Sequence, residues 1–260
     1  MIIRFLNLDR RPDRRKIFEE GCPTGCEPVK LPTPDHRHYS WDDSPGSICD
    51  LTKNPYYSPC TAAHHYSSML AWQACSEGDE PYHLFEDDAV LHESFESYAT
   101  ILMEEAPAGW DIILWGSTLK CVTVLQLWDG GPWIHQRCQD LPTPLNRHFF
   151  RTHSAVPNIC RVAAAWNTFA YTVSPEGAKK LLQLAWPIKM ENGAVPGHEG
   201  LFAIYGTDAK LAAILGGLNA YIAWPPVAFH PLDNDDSNME EIVPAASVWT
   251  PEERLKWGAT

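Results

Sequence analysis

Residues 82–91 read YHLFEDDAVL: a short apolar run, three consecutive acids (Glu86, Asp87 and Asp88), then a second apolar run. An apolar run of this length has the form of a buried strand. A buried strand that ends on three carboxylates needs something for them to hold. Its neighbours set the fold class. Upstream, TAAHHYSSMLAWQACSEG (61–78) has helical spacing, with Ala62, Tyr66, Met69 and Ala74 near one face and Gly78 to close it. Downstream, SFESYATILMEEAPAG is an amphipathic helix with Ser94 as its cap, and WDIILWG (110–116) is a second apolar strand.

The same alternation extends outward. IIRFLNL (2–8) reads as a strand, followed at once by a helix in DRRPDRRKIFEEG, with Asp9 as cap, Pro12 in the first turn and Gly21 at the stop. Residues 22–58 are rich in Pro, Asp, His and Ser and read as loop with at most short elements. AAAWNTFAYTVS (163–174) is a strand. SPEGAKKLLQLAW follows as a helix capped by Ser174, with Pro175 first and Leu181, Leu182 and Ala185 inward. GTDAKLAAILGG is a helix capped by Thr207, and AYIAWPPVAFH a late strand broken at Pro225 and Pro226. Strand–helix alternation predicts an α/β fold: one domain, with a mostly parallel central sheet flanked by helices on both faces. Residues 1–118 form its ligand-binding half and 119–243 a second half, with an irregular loop over 119–162 and a peripheral tail over 244–260. That loop, with its Trp128 and Trp133, reads as a lid, a binding segment or a surface excursion.

Composition excludes several classes. The net charge is −13 over 260 residues, with 20 Lys+Arg against 33 Asp+Glu. Such a chain offers no basic face to nucleic acid. No apolar run is long enough to span a bilayer, and the first residues carry no secretory pattern, so the expected location is cytoplasmic. The eight Cys show no C-x-x-C, and read as thiols. Cys22 and Cys26 with His36 and His38 are a loose zinc-like spacing.

In an extended segment residues two apart point the same way, so Glu86 and Asp88 share a face while Asp87 turns aside. Two carboxylates on one face repel unless a cation lies between them or one is protonated. Oxygen ligands suit Mg²⁺ or Mn²⁺ shared with substrate phosphates, and the ion would let an acidic protein hold an anion. The plainer reading is a solvated acidic turn. NLDRRPDRR adds Arg10, Arg11, Arg14 and Arg15 at a helix start, either an anion site or an exposed face paired with Glu19 and Glu20.

The blocks NLDRRPDRR, CTAAHHYSSMLAWQAC, LFEDDAVL, WDIILWG and NTFAYTVSPEGAKKLL, in that order over Ile2 to Ser237, resemble glycosyltransferase family 25, the lipopolysaccharide and collagen galactosyltransferases. The resemblance implies a GT-A type fold, a UDP-sugar donor (UDP-galactose above all), Mn²⁺ or Mg²⁺, and inversion at the anomeric carbon. It implies metal ligation by Glu86 and Asp88, and donor binding by Asn7, Asp9, Arg10, Arg14, His64 and Asp87. The acceptor would be a glycan, a lipid-linked saccharide or a protein; a lipid-linked acceptor would bring peripheral membrane contact. Ala63 departs from the family's usual Ser before the His, and residues 120–161 have no counterpart.

Inverting transfer needs a base for the acceptor hydroxyl. Asp208, at a helix start, resembles the family's late aspartate; Glu199, in PGHEG, is the competing acid. A helix-terminal Asp also serves stability alone. His230 follows the late strand as a structural residue or a third metal ligand, and the DNDDS run (233–237) is an acidic loop. Two other functions stay open on these residues: a binding protein for sugar nucleotides without turnover, and a metal-dependent phosphohydrolase.

Overall fold

The computed structural model describes residues 1–35, 37, 59–118, 121–128, 130–136, 147–186, 191–197, 199–200, 202–204 and 206–230. A nine-stranded sheet carries them. Its strands are β1 (Ile2–Leu6), β2 (Glu27–Leu31), β3 (Tyr82–Glu86), β5 (Ile112–Leu114), β6 (Thr123–Gln126), β7 (Trp133–Gln136), β8 (Asn158–Ala164), β9 (Ala170–Val173) and β12 (Ala220–Trp224). They lie in the order β2-β1-β3-β9-β5-β12-β8-β6-β7. Two small antiparallel pairs stand apart: β4 (Val90–Leu91) with β13 (Ala228–Phe229), and β10 (Glu191–Gly193) with β11 (Phe202–Ile204). The helices are α1 (Pro12–Gly21), α2 (Pro59–Ser76), α3 (Phe95–Glu105), α4 (Arg147–Thr152), α5 (Pro175–Ala185) and α6 (Thr207–Ile214).

The expected α/β class holds. β2, β1, β3, β5 and β12 run in one direction. The chain reverses at β9, which is antiparallel to both β3 and β5. A second reversal at β8 leads to the antiparallel edge of β6 and β7. β9 and β12 therefore interleave strands of the second half with β3 and β5 of the first.

Alternation along the central strands splits the core in two. Leu84, Ile112, Leu114, Tyr171 and Ile222 face one way, against Trp72 of α2, Leu181 of α5 and Leu211 of α6. Phe85, Ile113, Trp115, Ala170 and Tyr221 face the other, against Phe18 of α1 and Phe95, Ala99 and Leu102 of α3. Period-2 strands and 3.6-period helices dictate such a three-layer arrangement. Fully buried Trp72 and Trp115 keep their ring N–H groups satisfied, on the Tyr171 hydroxyl at 2.9 Å and Thr172 Oγ1 at 2.8 Å.

Several local readings need correction. Residues 27–31, inside the stretch read as loop with at most short elements, form the short edge strand β2 paired in parallel with β1. Asp9 does not cap α1; its side chain points to solvent and pairs with Lys30 at 2.6 Å, and α1 starts from Arg11 without a side-chain cap. Ser94 precedes α3 without a capping bond. Gly206, not Thr207, is the residue before α6, since the Thr207 hydroxyl is engaged elsewhere. Ala74 is exposed, and α2 is instead buried through Ala62, Ala63, His65, Met69 and Trp72. Ser174 does cap α5, accepting from the Gly177 N–H at 2.9 Å. His36, His38, the DNDDS run and the tail from 244 lie outside the described residues.

Candidate functional site

β1 and β3 are parallel neighbours in register Leu6↔Glu86, so their carboxyl ends emerge side by side. Ligand sites of such sheets lie there. Asn7, the first residue past β1, donates from Nδ2 to Asp87 Oδ2 at 2.7 Å and to the Arg11 carbonyl at 3.0 Å. The first turn of α1 then brings Arg14 over the acids. One guanidinium nitrogen lies 2.9 Å from Asp87 Oδ1 and the other donates to Asp88 Oδ2 at 2.6 Å. Asp87 is thus the acid turned inward, with both oxygens engaged.

The other two acids face different partners. Glu86 Oε1 lies 3.2 Å from His64 Nε2, on α2. Asp88 Oδ2 lies 3.2 Å from His230 Nε2, just past β13. The structure brings Glu86, Asp87, Asp88, Asn7, Arg14 and His64 together, and adds His230 and Thr207. Asp208, in the first turn of α6, is near enough for its charge to act on His64. Asp9 points away. Arg10 donates to Asp35 Oδ2 at 2.9 Å, and its Nη2 is buried without a partner among the described residues. Glu199 is exposed, and no hydrogen bond or ion pair among the described residues joins it to the acids.

Ionisation follows from these partners. Burial pushes Asp87 up to about 6, against the pull of Arg14 and with the push of Asp88. Asp88 is also buried, but the hydrogen bond and charge of His230, with Arg14, hold it down at about 2. Burial likewise opposes ionisation of Glu86, and the charge and hydrogen bond of His64 outweigh it, so Glu86 lies below its ordinary value. His64 and His230 are both raised: burial disfavours their charge, but the facing carboxylates, Glu86 for His64 and Asp88 for His230, win. Asp208 moves the other way from Glu86. It is exposed, and partial desolvation by the surrounding protein raises it.

A divalent cation can be tested against the donor set. Asp88 Oδ1 is buried and finds no partner among the described residues. It stands on the residue whose other oxygen meets His230. A carboxylate oxygen and an imidazole nitrogen fit two positions of an ion that completes its sphere with phosphate and water. Glu86 meets His64 through Oε1, and no group of three His, Cys, Asp or Glu among the described residues forms a full cage. Cys22 and Cys26 are free thiols packed against the core beside α3, burial pushing them up to about 12 and 11.

His230 and Thr207 carried little signal in the sequence. A lone His before Pro231 and a Thr at a helix start are both commonplace, and only the fold brings them to the acids. Trp128 and Trp133 are exposed on the β6–β7 hairpin, where a sugar ring would find an open face. No helix among the described residues is long and apolar enough to cross a membrane.

The model of glycosyltransferase family 25 (LPS biosynthesis protein) matches residues 59–195, just over half of the chain. The match includes His64 and the three acids; Asn7, Arg14, Asp208 and His230 lie outside it. No curated protein matches. Sixteen solved chains do. One is the crystal structure of mouse xyloside xylosyltransferase 1, apo form, at 12% identity and a TM-score of 0.33, covering 71% of this chain. The match spans 61% of that chain's length.

Proposed function

This chain belongs to glycosyltransferase family 25, and from that premise we propose that it is an inverting hexosyltransferase of GT-A type. It moves a sugar, galactose first among candidates, from a UDP-sugar to a hydroxyl of a glycan, lipid-linked saccharide or protein. The observation that carries the reading is the cluster of paired charged side chains at the carboxyl end of β3. There, Arg14 of α1, His64 of α2 and His230 past β13 meet the three acids at the end of β3.

Each residue has a role in that reading. Arg14 and Asn7 hold Asp87 and Asp88 in place, so that Asp88 keeps one oxygen open. Arg10, braced by Asp35, offers its buried Nη2–H to an oxygen of the nucleotide. Mn²⁺ or Mg²⁺ held by Asp88 and His230 would supply positive charge to the diphosphate as it leaves. Asp208 takes the proton of the acceptor hydroxyl. The acceptor oxygen forms its bond to the anomeric carbon from the face opposite the departing UDP, and the electrons of the broken C–O bond stay on the diphosphate oxygen. A base works best with a pKa near working pH, and the upward shift of Asp208 moves it that way while Glu86 moves down.

The test is a thermal-shift panel of UDP-sugars with and without Mn²⁺, followed by a UDP-release assay with candidate acceptors. Metal-dependent stabilisation by one UDP-sugar, and release that requires an acceptor, are expected. Binding of UDP without release for any acceptor would make the chain a binding protein, and phosphate release from simple esters a phosphohydrolase.

A further inference from the structure

Thr207 is buried at the start of α6, and its hydroxyl is bonded on two sides. It lies 3.0 Å from His64 Nδ1 and 2.7 Å from His65 Nδ1. Behind it, His65 Nε2 lies 3.3 Å from the Ala185 carbonyl at the end of α5. The direction of each bond follows from what each atom can do. A carbonyl only accepts, so His65 Nε2 carries a proton. His65 is fully buried and neutral, its pKa pushed down to about 3, chiefly by burial. Its Nδ1 is therefore bare and takes the Thr207 hydroxyl proton. The hydroxyl has no second proton, so toward His64 it can only accept. His64 Nδ1 must then be the donor. The edge of His64 that remains, Nε2, is the one 3.2 Å from Glu86 Oε1.

We propose that Thr207, braced by His65, is a positioning residue that fixes the Nδ1-protonated form of His64 and turns its Nε2 edge toward Glu86 and the cleft. The chain of bonds runs from a backbone carbonyl of α5, through α2 and α6, to the acid at the end of β3. It ties α6, and with it Asp208, to the acids by a directional path. Imidazoles that act through one nitrogen are commonly fixed by a hydrogen bond at the other. Only the expected effect on turnover rests on the transferase reading; the protonation pattern of His64 does not.

The experiment is a long-range ¹H–¹⁵N spectrum of the histidines in the full chain without donor, with His64→Gln to assign the signal. Wild type should show a protonated Nδ1 on His64. Thr207→Val keeps the shape but cannot accept, and should lose that pattern; Thr207→Ser should keep it. With the donor that the panel identifies, kcat of Thr207→Val should fall about tenfold, the order expected when the bond behind a functional imidazole is removed. Donor affinity should stay within about twofold, and Thr207→Ser should restore kcat. A bare Nδ1 in wild type overturns the proposal even if Thr207→Val fails to fold. So does an unchanged His64 pattern in a folded Thr207→Val. A chain that shows the predicted pattern but transfers no sugar would refute the transferase reading and leave the assignment of Thr207 intact.

Discussion

Removing Arg14 tests whether the acids are held as described. Its guanidinium bridges Asp87 at 2.9 Å and Asp88 at 2.6 Å, and all three side chains are largely buried. Arg14→Met keeps the aliphatic stem and deletes the charge. Asp87 and Asp88 then lose the guanidinium they share, with Asn7 left on Asp87 and His230 on Asp88, and breaking a buried pair in this way costs about 3–5 kcal/mol. In a chain of this size 1 kcal/mol moves Tm by roughly 2 °C, so a loss of about 6–10 °C is expected. Arg15→Met is the control. Arg15 pairs with Glu19 at 2.7 Å on the exposed side of the same helix, and its loss should cost under about 0.5 kcal/mol. Asp88→Asn and the double variant complete a cycle, in which about 1.5–3 kcal/mol of coupling is expected between Arg14 and Asp88. Urea unfolding in EDTA, monitored by tryptophan fluorescence, measures all four without interference from added cation. Equal losses for Arg14→Met and Arg15→Met, or coupling near zero, would refute the claim that Arg14 holds the acids.

Three further outcomes are expected. A methyl on Gly206 would stand 2.7 Å from Asp208 Oδ1, while the backbone there (φ −123°) tolerates alanine. Gly206→Ala should therefore cost under about 1 kcal/mol yet displace the proposed base, lowering kcat about tenfold or more with UDP binding unchanged; an unaltered kcat would remove Asp208 from that role. Gly177 in α5 packs so closely that a methyl would overlap the Asp111 carbonyl oxygen, so Gly177→Ala should lose about 3 kcal/mol in denaturant unfolding, and wild-type stability would contradict the close approach. His65, held neutral with a pKa of about 3, binds its proton more readily unfolded, so its effect is absent above pH 6.5 and destabilises as pH falls, by about 2 kcal/mol at pH 5. The raised His64 and His230 act in the opposite sense, gaining stability as pH falls. The measurement is thus the difference in pH slope between wild type and His65→Gln over pH 5–7, and identical slopes would show that His65 is not held neutral.

The elements with strong periodicity or a clear cap were legible in the sequence: β1, α2, β3, α3, β5 and α5. In each, local preference and burial agree. β2 was not legible, because an edge strand with Pro28 and only half-buried or exposed residues leaves weak alternation. The reversal at β9 was not legible either. AYTV is buried on both faces, and such a run reads the same in either direction.

The site divides along the same physical line. Glu86, Asp87, Asp88 and Arg14 stand out because charges at the end of a buried strand or the start of a helix break a local pattern. His230 and Thr207 break none. Each acts through a partner more than a hundred residues away: Thr207 through His64 and His65, His230 through Asp88. Asp88 is the sharpest case. Sequence spacing set it on one face with Glu86, and the fold brings in His64 beside Glu86 and sets Asp88 between Arg14 and His230. Alternation along a strand fixes which side chains share a face. It does not fix which partner each one meets, because the partners come from α1, α2 and the chain past β13. Whatever ion or diphosphate reaches these acids must therefore compete with, or complete, pairs already formed, and Asp88 Oδ1, buried without a partner among the described residues, is the acceptor it can complete.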